Sequence, residues 1–162
     1  MVKAKRFRKV GLGGTFDIFH KGHEHVLDLA FQLAEKVSLA LSTDEFAFKL
    51  KGRRVNPYEK RKKKVEEFLR GRKLLNRVEF IPLEDRFGTA VEDPEMDALL
   101  VSSNNKPVAE TINRERVKKG LKPLEIIVFK KVLAENGKPI SASRIMAGEI
   151  DREGRVNPAL KR

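Results

Sequence analysis

Gly11-Leu12-Gly13-Gly14-Thr15-Phe16-Asp17-Ile18-Phe19-His20-Lys21-Gly22-His23 joins two patterns of different period. Before it, Arg8 to Gly13 has the short apolar content of a buried strand ending in glycines. After it, Val26, Leu27, Ala30, Phe31 and Ala34 recur at helical spacing. Strand, tight loop and helix are therefore expected in that order. In an open parallel sheet, ligands lie beyond the C-terminal ends of the strands, near the point where strand order reverses. The glycine-rich loop is the first candidate for such a site. It is not one of the two commoner phosphate loops. The dinucleotide pattern G-x-G-x-x-G would need a glycine where Phe16 stands, and no G-x-x-x-x-G-K-[ST] occurs anywhere in the chain.

Downstream, the alternation continues. Lys36 to Leu41 reads as a second strand, and Ser42-Thr43-Asp44-Glu45 offers hydroxyls that cap a short helix. The basic stretch Lys49 to Arg54 reads as a loop, and Pro57 suits the first turn of a helix that runs to about Arg70, where Gly71 stops it. Arg77 to Leu83, Met96 to Val101 and Leu124 to Val132 are the third, fourth and fifth strands, with a helix over Val108 to Lys119 between the last two. Gly137-Lys138-Pro139 forms a turn, and Ile140-Ser141-Ala142-Ser143 opens a final helix. Strands separated by helices imply an α/β fold: one Rossmann-like domain with a five-stranded parallel sheet and helices on both faces. The domain is expected to span residues 1–162, with a core of about 8–150 and a loosely held tail over 151–162.

With 162 residues, the chain is long enough to bury about two-thirds of its unfolded surface. The balance of 40% hydrophobic and 36% charged residues is that of a globular protein, and no apolar run approaches the roughly 20 residues of a spanning helix. The basic N-terminus, Met1 to Lys9, leads directly into the first strand without a signal-peptide pattern, so a cytoplasmic location without membrane attachment is expected. The absence of cysteine excludes disulfides, thiolate metal sites and cysteine nucleophiles. The net charge of +12 favours an anionic partner: nucleic acid, an acidic membrane surface or a phosphate-rich small molecule. A basic RNA-binding module would account for the charge, but the run Lys60 to Lys64 lacks interleaved aromatics and spreads around a helix, as a solvated face does. No nucleic-acid partner is expected.

All three histidines, His20, His23 and His25, fall within six residues. They are either surface groups of a helix start, zinc ligands that need partners from elsewhere, or donors to a phosphate. In the third reading their ring N–H groups act with the backbone N–H groups of the helix N-terminus, whose partial positive charge favours anions. Gly22 between them would let a nucleotide lie against the backbone. Asp17 either binds in the site or caps the loop through backbone N–H groups. No protein-bound metal centre is expected.

His20-Lys21-Gly22-His23 resembles the H-x-G-H signature of the nucleotidyltransferase superfamily, and Ile140-Ser141-Ala142-Ser143-Arg144-Ile145 resembles its second signature, I-S-x-[ST]-x-[IL]. Within the superfamily, Ser42 to Phe46, Lys51-Gly52-Arg53 and Pro57 to Arg61, together with Glu110 to Arg116 and Gly120 to Ile126, are most similar to the archaeal-type phosphopantetheine adenylyltransferases. The resemblance implies transfer of AMP from ATP, with Mg²⁺, to 4′-phosphopantetheine, giving dephospho-coenzyme A and pyrophosphate. Another adenylyl- or cytidylyltransferase, acting on FMN, nicotinamide mononucleotide or glycerol phosphate, shares the same signatures.

The resemblance also implies roles. His20, His23 and Lys51 would be catalytic. Gly14, Thr15, Phe16, His20, Gly22, His23, Ser141, Ser143 and Arg144 would bind ATP. Thr15, Asp17, Lys51 and Arg114 would bind the acceptor, with Lys49 and Arg53 as alternatives to Lys51 and Arg116 as a neighbour of Arg114. After the fourth strand, where relatives carry Ser-x-Glu-Thr, this chain has Val101-Ser102-Ser103-Asn104-Asn105, which replaces an acidic residue by amides.

Overall fold

The computed structural model describes residues 5–160. Met1 to Ala4 of the basic N-terminus and the last two residues of the tail lie outside them. The chain forms β1 (Phe7–Gly14), α1 (Lys21–Leu33), β2 (Ala34–Ser42), α2 (Asp44–Lys51), α3 (Tyr58–Gly71), β3 (Val78–Leu83), β4 (Ala98–Val101), α4 (Lys106–Lys118), β5 (Glu125–Val128) and α5 (Ala142–Met146). The five strands are all parallel, in the order β3-β2-β1-β4-β5. Consecutive strands step outward from β1 on one side, and β4 then returns to its other side. The strand order thus reverses between β1 and β4, directly below the glycine loop.

The two faces of the sheet are built differently, and the alternation of residues along the strands sets the difference. Val10 and Leu12 of β1, Val37, Leu39 and Leu41 of β2, and Ala98 and Leu100 of β4 enter a core closed by Val26, Leu27, Ala30 and Phe31 of α1 and by Val65 and Leu69 of α3. On the opposite face, Leu99 packs with Met96, Ala109, Ile112 and Leu124 under α4. Helices therefore cover both faces. The residues of β1 and β2 that face the second side are small: Gly11 lies opposite Ser38, and Gly13 opposite Ala40. A Cβ on Gly11 would come within 2.7 Å of the Met96 sulfur. That face has a floor of glycines and small side chains; Met96 and Leu99 close over Gly11, and a cavity remains above the rest.

Several boundaries differ from the sequence expectation. Ala34, placed on the helix by its spacing, ends α1 and starts β2, with its backbone N–H bonded to the Ala30 carbonyl. Lys49 to Lys51 are the last turn of α2 and not a loop, because Thr43 caps that helix through Phe46 N–H and Gly52 closes it in the left-handed conformation. β5 stops at Val128, four residues early, and Phe129 to Val132 run on beyond the sheet. Where a loose tail was expected from Asp151, backbone bonds reach back into the body: Arg152 C=O accepts from Lys21 N–H, Ile150 bridges Val156, and Glu135 N–H donates to Gly154 C=O. Ala134, Ile140 and Ile150 form a small third core beneath this hairpin.

Arg116 explains how α4 is fixed. It is 2% exposed, and its guanidinium donates to the carbonyls of Ala90, Asp93 and Lys122, each at 2.8 Å. Burial depresses its pKa from the ordinary value, with Asp93 opposing the shift.

Candidate active site

The histidines are first of all a helix start. His20 has extended backbone angles and is the N-cap of α1; its Nδ1 accepts Gly22 N–H at 3.0 Å. His23, three residues on, returns the favour: its Nδ1 accepts His20 N–H at 3.1 Å. This is the reciprocal capping box, with imidazoles in place of the usual hydroxyl and carboxyl groups. The rings stack with centroids 3.7 Å apart, and Phe16 and Phe19 flank His23 at 4.8 and 5.5 Å.

Two chemical consequences follow. Burial pushes the His20 pKa down to about 4, and burial together with His20 and Lys51 holds His23 well below the usual histidine value. Both rings are neutral near pH 7. A neutral ring whose Nδ1 accepts a backbone N–H carries its proton on Nε2, so each ring keeps one fixed donor.

The loop before α1 is unusual in its backbone. Phe16 and Ile18 have φ of 54° and 50°, the left-handed region that non-glycine residues avoid, and a β-branched residue most of all. Side chains of other elements hold it there. Arg61 of α3, 2% exposed, donates to Thr15 C=O at 2.9 Å, to Asn56 C=O at 2.6 Å and to Asp44 Oδ1 at 2.8 Å. Asp17 accepts from Asn56 N–H at 3.1 Å and Asn56 Nδ2 at 2.7 Å through Oδ1, and from Arg53 at 3.0 Å through Oδ2. Burial opposes the Asp17 charge, but Asn56 and Arg53 outweigh it and hold the carboxyl below its ordinary range. Of the two roles expected for Asp17, loop capping is the one with visible partners.

Two adjoining cavities open above this loop. The smaller, about 230 Å³, is lined by His20, His23, Gly22, Phe16 and Asp17 on one side and by Lys130, Ile140, Ser141 and Ala142 on the other. The larger, about 620 Å³, lies over the bare floor of Gly11, Gly13, Ser38 and Ala40, with Met96, Leu99, Val108 and Ile112 as an apolar wall and Ser102, Asn104 and Asn105 as polar groups. Thr15, Lys51, Phe129 and Lys131 line both. The buried Thr15 hydroxyl donates to Ser42 Oγ at 3.4 Å, and Ser42 in turn to Gly14 C=O at 3.3 Å.

The expected site residues separate into those brought together and those kept apart. His20, Gly22, His23, Thr15, Phe16, Asp17, Lys51 and Ser141 all line the smaller cavity. Gly14 lines the larger one instead. Ser141 caps α5, accepting Arg144 N–H at 3.3 Å, and the Ser143 hydroxyl lies 3.3 Å from that of Ser141. Arg144 does not reach a cavity: its guanidinium is consumed by Glu149, Asn136 and the carbonyls of Lys138 and Pro139, which pins the turn before α5. Arg114 is exposed and bonds Thr111 on its own helix, and Arg116 is the structural group described above. Of the three basic candidates near Gly52, only Lys51 faces the cavities; Lys49 does not, and Arg53 is engaged with Asp17. His25 is exposed on α1.

Sequence reading missed Phe129, Lys130 and Lys131, which it counted inside the fifth strand. The signal was present: two lysines directly after an apolar run mark a strand that has already reached solvent. It also missed the small-residue floor, visible as Ser38, Ala40 and Ser42 alternating with Val37, Leu39 and Leu41.

The cytidylyltransferase-like family model matches residues 12–148, which contain both signatures up to Gly148. A phosphopantetheine adenylyltransferase of Methanopyrus kandleri is 44% identical over 151 residues, 93% of this chain and 96% of the relative. One of Methanothermobacter thermautotrophicus is 41% identical over 162 residues, 98% of this chain and 97% of the relative. Among solved structures, a protein of unknown function from Archaeoglobus fulgidus superposes with a TM-score of 0.68 at 24% identity, covering 82% of this chain and 99% of the other, a likeness of fold. With the family model across most of its length and relatives matched nearly end to end, the chain belongs to the cytidylyltransferase-like nucleotidyltransferases and, among them, to the phosphopantetheine adenylyltransferase family.

Proposed function

We propose that the chain transfers AMP from ATP to 4′-phosphopantetheine, releasing pyrophosphate and forming dephospho-coenzyme A. The observation that carries this reading is the pair of cavities sharing one cationic seam. Transfer between two bound molecules needs two compartments that meet at the reacting atoms. The smaller compartment, between the histidines and the start of α5, suits the phosphates of ATP. The larger one, with an apolar wall and amide and hydroxyl groups, suits a long arm of alternating amide and methylene character. Relatives that carry the phosphopantetheine adenylyltransferase name support the same acceptor.

The chemistry needs alignment and charge compensation more than covalent participation. An oxygen of the acceptor phosphate attacks the α-phosphorus of ATP, the bond to the β-phosphate oxygen breaks, and pyrophosphate leaves with the electron pair. His20 and His23 supply preset N–H donors; being neutral, they bind developing charge without a strong ion pair in the ground state. Lys51, with Lys130 and Lys131, supplies positive charge, and Thr15 and Ser141 supply hydroxyls. Ser143 lines neither cavity and would act through its hydroxyl, 3.3 Å from that of Ser141.

Mg²⁺ would neutralise charge on the ATP phosphates. Asp17 is the only carboxylate lining either cavity among the described residues, and both of its oxygens are already engaged. The ion would therefore be held by the phosphates and water, as is usual for nucleotide magnesium, with at most the Thr15 and Ser141 hydroxyls beside it. A cytoplasmic location belongs with this reading, because both substrates are small phosphorylated anions that do not cross a bilayer unaided.

Incubation with ATP, Mg²⁺ and 4′-phosphopantetheine should yield dephospho-coenzyme A by mass and equimolar pyrophosphate. FMN, nicotinamide mononucleotide and glycerol phosphate in place of the acceptor should give none. Turnover with one of these and not with 4′-phosphopantetheine would overturn the acceptor and keep the reaction class.

A further inference from the structure

α2 carries Lys51 as its last residue, between the two cavities. It is fastened at both ends to the loop that joins β1 to α1. At its first residue, Asp44 Oδ1 holds Arg61, which donates to Thr15 C=O. Just past its last residue, Arg53 holds Asp17 at 3.0 Å, and Asn56 grips the other oxygen of that carboxylate. Asp17 stands between the two positive-φ residues, Phe16 and Ile18. Between Lys51 and Arg53 there is only Gly52, in the left-handed conformation with nothing within 4 Å of a Cβ built there. Without the Arg53 attachment, the end of α2 has a freely jointed glycine beside it, and the next tie to the loop that precedes the histidines is Asn56, four residues beyond Gly52.

We infer that Arg53 is a positioning residue: its bond to Asp17 sets where the Lys51 ammonium lies relative to His20 and His23. Arg53 touches neither cavity and contacts Asp17 and the Arg54 carbonyl. It therefore acts through Lys51 and not on substrate. The inference rests on the role proposed above for Lys51.

The test is a double-mutant cycle on the full chain with ATP and the phosphopantetheine acceptor. R53M should lower kcat by about tenfold or more while leaving both KM values within about threefold, since a shift of about 1 Å in a group near the reacting atoms costs up to a hundredfold. R53K, which keeps one cation for Asp17, should recover most of that loss. In the K51M background, R53M should cost less than about twofold more, because its route of action is already gone. Thermal melts of every variant separate misfolding from misplacement, and R53K supplies a folded comparison if R53M melts low. Unchanged turnover in R53M, or losses that multiply in the double variant, would overturn the inference. If K51M itself turns over normally, the role of Lys51 fails, whatever R53M does.

Discussion

Substitution of Gly22 by alanine separates the helix from the site. A Cβ built on Gly22 would stand 2.9 Å from Cε1 and 3.0 Å from Nδ1 of His20, closer than such atoms tolerate. The ring must swing away, losing both the bond from Gly22 N–H and its 3.7 Å stack on His23. For stability the terms nearly cancel. Loss of an N-cap bond costs ~1 kcal/mol. Alanine in place of glycine within a helix returns up to ~1 kcal/mol. For a chain of this size, a residual of ~1 kcal/mol moves Tm by about 2–4 °C. Activity has no such compensation, because displacing a donor by about 1 Å can cost about a hundredfold in rate. The expected outcome is thus a Tm within about 4 °C of the parent and a kcat at least about fiftyfold lower by pyrophosphate release. Turnover within threefold of the parent in a variant that melts normally would refute the importance of the His20 position. A Tm lower by more than about 10 °C would show that the capping box is chiefly a folding device.

Acidification should expose the neutral histidines. With its folded pKa near 4, His20 binds its proton more weakly in the native state than in the unfolded chain, so stability falls as pH drops from about 6.5 towards 4 and levels off below. The loss is on the order of 3 kcal/mol, visible as a lower urea midpoint at pH 5 than at pH 7, and H20Q should flatten that slope. Asp17 contributes separately, its stabilisation being lost only as pH falls below the ordinary carboxylate range. Arg116→Ala leaves the carbonyls of Ala90, Asp93 and Lys122 without their buried donor and should cost about 3–5 kcal/mol in chemical denaturation; Arg114→Ala, at an exposed site, should stay within about 0.5 kcal/mol and keep full activity. Val108→Trp adds bulk to the wall of the larger cavity and should raise the acceptor KM about tenfold or more while leaving the KM for ATP within about twofold. Equal change in both would mean that the two substrates do not divide between the cavities as proposed.

The sequence reveals the fold well where burial alone shapes the pattern. β1, α1 and β2 lie near their expected places because Val10, Leu12, Val26, Leu27, Phe31, Val37 and Leu39 sit at spacings that only a strand-helix-strand unit can bury. It reveals less where polar side chains do the structural work. Arg144 and Arg116 read as charges near a ligand and Arg61 as part of a solvated helix face, yet Arg61 and Arg116 spend donors on backbone carbonyls distant in sequence and Arg144 on the turn just before its own helix, which no local pattern announces. The histidine cluster reads as a helix start, a zinc site or a set of phosphate donors; the reciprocal capping by the rings themselves is not legible, because imidazoles rarely fill that role. The end of β5 was misplaced because Phe129 and Val132 continue the apolar run while Lys130 and Lys131 have already left the sheet.

The bond from Lys21 N–H to Arg152 C=O and the wall formed by Ile140 to Ala142 mean that the smaller cavity is stitched from the two extremities of the described chain. A ribosome releases the wall that carries the histidines more than a hundred residues before its counterpart at Ile140 to Ala142. The nascent protein can lay down its first three strands and much of its core while half of this cavity is still missing. A product cut short before residue 129 would carry an intact glycine loop and histidine pair without the wall of Phe129 to Val132 and Ile140 to Ala142 that faces them. Nucleotide binding at the proposed site would then require the chain beyond residue 140, and ATP added to a refolding mixture should favour molecules that contain this wall over shorter fragments.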